Sequence, residues 1–168
     1  MRLGAEDTSL GLFDRMADVR TVVTFESPAF NATESRNYFI NDGCYGDDVA
    51  RALIEQLCAR GIAVDAEPGQ EDFGWYVGFS IGGMDYQFLL GHRPADGKNP
   101  AVWIGKLERK AGLVGSLFSG RNRGIRSEGA TTIHLAISGL AQVSKIRWHR
   151  KGDFDALREE LGQSDPGG

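Results

Sequence analysis

The stretch from Glu71 to Gly91 reads EDFGWYVGFSIGGMDYQFLLG. Its Gly82-Gly83 pair predicts a two-residue hairpin turn, because the central positions of a primed turn take positive φ at little cost in glycine. That register sets Ile81 opposite Met84, Phe79 opposite Tyr86, Val77 opposite Phe88 and Trp75 opposite Leu90. Side chains alternate along a strand, so all eight share one face. The opposite face carries Ser80 with Asp85, Gly78 with Gln87, and Tyr76 with Leu89. A sheet with one greasy and one mostly polar side needs a second layer on the greasy side. The aromatic row therefore reads as core rather than as a ligand site.

The flanking segments supply that layer. DGCYGDDVARALIEQLCARG has helical spacing through Val49, Leu53 and Leu57, with Ala50 and Ile54 beside them. Asp47 is its expected N-cap, and Gly61 fits the position just past its end. ATTIHLAISGLAQV repeats the spacing through Ala130, Ile133, Ile137 and Leu140. Strands are expected at TVVTFE, IAVDAE, AVWIGKLER and SKIRWH, and RNYFIN is read as a short strand or an extended approach. In AVWIGKLER, Trp103 and Leu107 face one way and Val102 and Ile104 the other. A short helix is expected over Leu10–Met16 and a terminal one at DFDALREELG. Hairpin-joined strands interleaved with helices predict an α+β class: a mainly antiparallel sheet with two or three helices on one face. The expected organisation is an extension at 1–20, a single domain at 21–161 and a fraying tail at 162–168.

Length and composition agree with this. At 168 residues with 41 % hydrophobic and 25 % charged residues, the chain suits one domain with a real core. No apolar run approaches the roughly 18 residues needed to span a bilayer. The first twenty residues carry acids where a secretory leader wants a basic start, so a cytoplasmic location is expected and no membrane partner. The two cysteines, Cys44 and Cys58, show no disulfide or metal spacing. Charge is uneven: residues 1–100 hold 16 acids against 8 bases, and residues 101–168 hold 7 acids against 11 bases. Such asymmetry bears on partners rather than on fold.

No catalytic set converges in the sequence. Cys44 precedes a helix, where the dipole can activate a thiol, but none of His92, His134 and His149 is spaced to serve it. No metal-ligand pairing, phosphate loop or dinucleotide fingerprint occurs, so no metal or cofactor is expected. Two basic clusters, Arg121, Arg123 and Arg126 in GRNRGIR, and Arg147 with Trp148 in KIRWHRK, have the composition of a phosphate or nucleic-acid contact. Against this, the domain is acidic overall, with a pI near 5.4.

FESPAF, GCYGDDVARALIEQLCARG, EDFGWYVGF, VWIGKLER and LFSGR resemble, in order and spacing, a group of small uncharacterised bacterial proteins. The resemblance spans about residues 23–150 and implies a shared fold; it supplies no catalytic residues. The leading expectation is a non-enzymatic cytoplasmic module that binds a protein partner, of the kind immunity and inhibitor proteins exemplify. Tyr45, Tyr76 and Trp148 are the candidate aromatic anchors, and Asp47, Asp48, Glu71 and Asp72 the acids that would steer a basic partner. The first alternative is an enzyme or small-ligand protein with a site near Cys44 and Trp75. The second is nucleic-acid or phosphate binding through Arg121, Arg123, Arg126 and Arg147.

Overall fold

The computed structural model describes residues 19–110 and 124–167. The helix expected at Leu10–Met16 lies outside them, as do Arg121 and Arg123. The described strands are β1 (Val22–Glu26), β2 (Ala63–Val64), β3 (Gly69–Glu71), β4 (Gly74–Ile81), β5 (Met84–Arg93), β6 (Val102–Arg109) and β7 (Ser144–His149). They form one antiparallel sheet in the order β2-β4-β5-β6-β1-β7, with β3 on the same side of β4 as β2. The β4–β5 ladder has the register expected from the Gly-Gly turn at all seven pairs, from Trp75↔Leu90 to Ile81↔Met84. Gly82 and Gly83 take φ of +59° and +73°, which is what the turn required of them.

Two helices, α1 (Asp47–Ala59) and α2 (Ser127–Ser138), cover the greasy face. Leu53, Leu57, Ile133 and Ile137 meet Val77, Phe79, Phe88 and Trp103 in a single core. Burying each such side chain contributes about 1.5–3 kcal/mol, which offsets the entropy of ordering these elements. Helix α1 closes as expected: Gly61 takes φ of +72°, its N–H reaches the Cys58 carbonyl, and the Ile62 N–H reaches that of Leu57. Its start differs. Gly46 at φ +125° is the N-cap, and Asp47 is already the first helical residue.

Several other elements depart from expectation for tertiary reasons. RNYFIN forms turns, with the Phe39 N–H on the Arg36 carbonyl, and pairs with no strand among the described residues. IAVDAE keeps only Ala63 and Val64 in the strand; at the next pair the Asp65 N–H still donates to the Gly78 carbonyl at 2.9 Å, while the Gly78 N–H turns to an Asp65 carboxylate oxygen instead of a backbone carbonyl. The terminal helix splits into α3 (Lys151–Asp155) and a 3-10 turn (Glu159–Leu161), parted by Leu157 at φ +59°. The tail expected to fray is hydrogen-bonded instead. Gln163 exchanges two backbone bonds with Trp148 at 2.6 and 2.8 Å, and the Pro166 carbonyl accepts the Arg20 N–H at 2.8 Å. An edge strand presents unpaired backbone groups, and Gln163 satisfies those of Trp148. No helix among the described residues is long and apolar enough to cross a membrane.

Candidate functional site

Between β1 and α1 the chain makes a loop, residues 27–46, held to the sheet by side chains from distant strands. Trp103 Nε1–H donates to the Ser27 carbonyl at 3.3 Å, and Trp75 Nε1–H to the Cys44 carbonyl at 2.8 Å. The Asn31 N–H donates to Asp48 Oδ2 at 2.7 Å. Rings fill the space beneath. Phe39 lies 5.7 Å from Trp75, Tyr45 6.3 Å from His92, and His92 4.7 Å from Trp103, centroid to centroid. Burial holds the His92 imidazole below its usual pKa, which favours its neutral form there.

Asp47 is 3 % exposed at the positive end of α1, where the helix dipole favours a carboxylate. Its Oδ2 accepts the Tyr38 hydroxyl at 2.5 Å and sits 3.7 Å from Arg36 Nε. That hydrogen bond to the carboxylate is the main cause raising the Tyr38 pKa, so the phenol stays a donor. Asp47 thereby pins the base of the loop and leaves the upper side of Tyr38 outside.

The outcome is an apolar display. Tyr38 is 50 % exposed, Ile40 60 % and Phe73 57 %, half of the six exposed large apolar side chains among the described residues. Asn41 Nδ2 and the Cys44 thiol both donate to the Asp72 carbonyl, at 3.3 and 3.4 Å. These bonds seam the loop to the β3–β4 corner; Ile40 precedes Asn41 on the loop, and Phe73 follows Asp72 at the corner. Glu34, Arg36 and Asp42 on the loop, and Glu71 and Asp72 at the corner, are exposed.

The residues singled out from sequence fall into three groups. Glu71, Asp72 and half-buried Tyr45 belong to this corner. Asp47 and Asp48 reach it too, but as braces: Asp47 is buried, and Asp48 receives the backbone N–H of Asn31 and of Val49. They hold the loop rather than face a partner. Tyr76 lies away from it, its ring over Gly69. Trp148 cannot be a surface anchor, since it is fully buried and spends its Nε1–H on His134 Nδ1 at 3.1 Å. β7 is the end strand of the sheet, parted from the hairpin by β6 and β1, and there the helix layer and Gln163 enclose the indole.

For the alternatives, Cys44 and Trp75 do meet, but Trp75 is 4 % exposed and the described contacts of the Cys44 thiol end at Asp72. Among the described residues no group of three His, Cys, Asp or Glu side chains is placed to hold a metal. Arg126 is exposed before α2, whereas the Arg147 guanidinium donates to the Glu160 and Gly162 carbonyls and fastens the C-terminal segment. The sequence reading missed Tyr38, Ile40 and Phe73. The signal available was a Tyr-x-Ile pair within an otherwise polar loop that offered no strand partner. Comparison with protein-family models, with curated proteins and with solved structures finds no match for this chain.

Proposed function

We propose that this domain is a protein-binding module whose contact surface is the corner of Tyr38, Ile40 and Phe73. One observation carries the reading: three large apolar side chains, each at least half exposed, stand on two segments that hydrogen bonds from Asn41 and Cys44 to Asp72 join, and both segments carry exposed acids. Exposed apolar clusters with a polar rim mark interaction sites, and aromatic anchors dominate binding energy. Glu34, Asp42, Glu71 and Asp72 make the rim negative, so the complementary partner offers an apolar pocket bordered by Lys and Arg. An inhibitor-like role, in which the corner covers a basic functional surface of its partner, is one form this binding takes.

The test is site-specific photo-crosslinking from position 40 or 73 in lysate of the native host, against the same probe at exposed Lys98. The captured protein is then purified for affinity measurement. Ile40→Asp or Phe73→Ser should each cost about 2 kcal/mol, near thirtyfold in Kd. Glu71→Lys with Asp72→Lys should slow association and weaken its salt dependence. Equal capture from position 98, or affinity indifferent to Ile40→Asp, would rule the reading out.

A further inference from the structure

Glycines inside the described strands have steric causes, with one exception. A Cβ would meet the Tyr76 ring at 2.0 Å at Gly69, the Leu90 carbonyl at 2.3 Å at Gly74, Asp65 at 2.3 Å at Gly78, and the Phe88 ring at 2.1 Å at Gly105. At Gly91 it would meet only the Phe73 carbonyl oxygen, at an ordinary 3.6 Å, and φ there is not positive. A glycine in mid-strand weakens the strand, and it is often found at a bulge, at a bend, or where a ligand or another backbone comes close.

Gly91 lies on the sheet face opposite α1 and α2, in the floor of a trough of about 430 Å³. Leu89 and Ile104 form the rest of the floor, and Phe73 and Phe154 line the trough. Lys106 stands in it, with Leu89 and Val22 beside it across the sheet and Ile104 two residues before it. The ion pairs among the described residues do not include Lys106; Glu108, two residues further along β6, also lines the trough and is engaged in interactions of its own. An aliphatic stem crossing an apolar floor needs no charge at its end. A cation without an ion pair among the described residues, beside a floor of Gly91, Leu89 and Ile104, complements a ligand that is anionic at one end and apolar along its body, its body held away from Glu108.

We propose that this trough binds a small carboxylic acid with an apolar body, its carboxylate on Lys106 and its body lying over Gly91 between Phe73 and Ile104. The site is independent of the partner-binding reading except that Phe73 borders both.

The test is an amide NMR titration of the whole chain with 4-phenylbutyrate, and with 4-phenylbutanol as the neutral counterpart. Saturable shifts are expected at Gly91 and Lys106, with the acid binding about tenfold more tightly than the alcohol. Lys106→Met should erase that preference and leave the alcohol unchanged. Gly91→Val should block both probes while far-UV circular dichroism stays native; Gly91→Ala, which adds one methyl, should weaken both if valine disturbs the strand. Ile40→Asp should leave the titration as in wild type, which separates this site from the partner surface. Absence of saturable shifts at Gly91 and Lys106, an acid preference that survives Lys106→Met, or wild-type binding by both Gly91 variants would each overturn the proposal.

Discussion

Placing one methyl group on either face of the sheet should move stability in opposite directions. At Gly105 the new Cβ falls 2.1 Å from Phe88 Cζ, 2.6 Å from Cε2 and 2.9 Å from Val23 Cγ1. Carbon atoms in contact settle at about 3.5–4.0 Å, so the ring must retreat by more than about 1 Å. Phe88 and Val23 are both fully buried, and a core packed to crystal density has no room to accept that shift. Overpacking of this kind costs about 1–3 kcal/mol, and relief of the glycine penalty returns about 0.5–1 kcal/mol. Gly105→Ala should therefore lose about 1 kcal/mol net, a fall of about 2–4 °C in Tm for a chain of this size. Gly91→Ala meets no obstacle and should gain about 0.5–1 kcal/mol. Urea unfolding followed by tryptophan fluorescence reads both. Phe88→Leu shortens the obstructing ring, so it should cost less in the Gly105→Ala background, with a coupling of about 1 kcal/mol or more. A Gly105→Ala protein as stable as wild type, or additive effects in the double variant, would show that the ring does not pack over β6 as described.

Stability should also depend on pH through buried imidazoles. His149 is 2 % exposed, and its Nε2 lies 3.0 Å from Thr24 Oγ1; burial first, then Arg147 and Arg93, lower its pKa, against an opposing pull from Glu159. Burial lowers that of His92 as well. The unfolded chain then binds more protons than the fold, so stability is complete above about pH 6.5 and declines as pH falls below it, by up to ~1.4 kcal/mol per unit for each histidine. Denaturant titrations from pH 8 to 5 check this; His149→Gln should flatten the slope, and a level profile in wild type would contradict the burial argument. Trp148→Phe deletes the hydrogen bond to His134 and opens a cavity in the core, for a loss of about 2 kcal/mol read as a lowered Tm. An unchanged Tm there would mean the indole is not enclosed. Asp48→Ala strands the Asn31 N–H and should cost about 1–2 kcal/mol, whereas Asp48→Asn keeps an accepting oxygen and should recover most of it in the same thermal assay.

How much of this was written locally can be judged residue by residue. The hairpin from Trp75 to Leu90, with its register and its greasy face, follows from period-two alternation and a turn whose two glycines take positive φ. Helix α1 and its Gly61 end follow in the same way from period 3.6 and cap chemistry. These are properties of neighbours in the chain, and a single sequence displays them. Exposure is not such a property. Trp148 has the neighbours of a surface residue, Lys145, Arg147, Arg150 and Lys151, yet Gln163 and His134 enclose it from opposite ends of the local sequence. Asp47 and Asp48 look like free acids at a helix start until Tyr38 and Asn31 fold back over them. The segments that carry Tyr38, Ile40 and Phe73 come together only because Asn41 and Cys44 reach the Asp72 carbonyl, 31 and 28 residues away. Sequence alone set the pairing and periodicity of the elements; the tertiary structure decided which side chains face solvent, because burial depends on what distant segments bring and a local pattern holds no record of them.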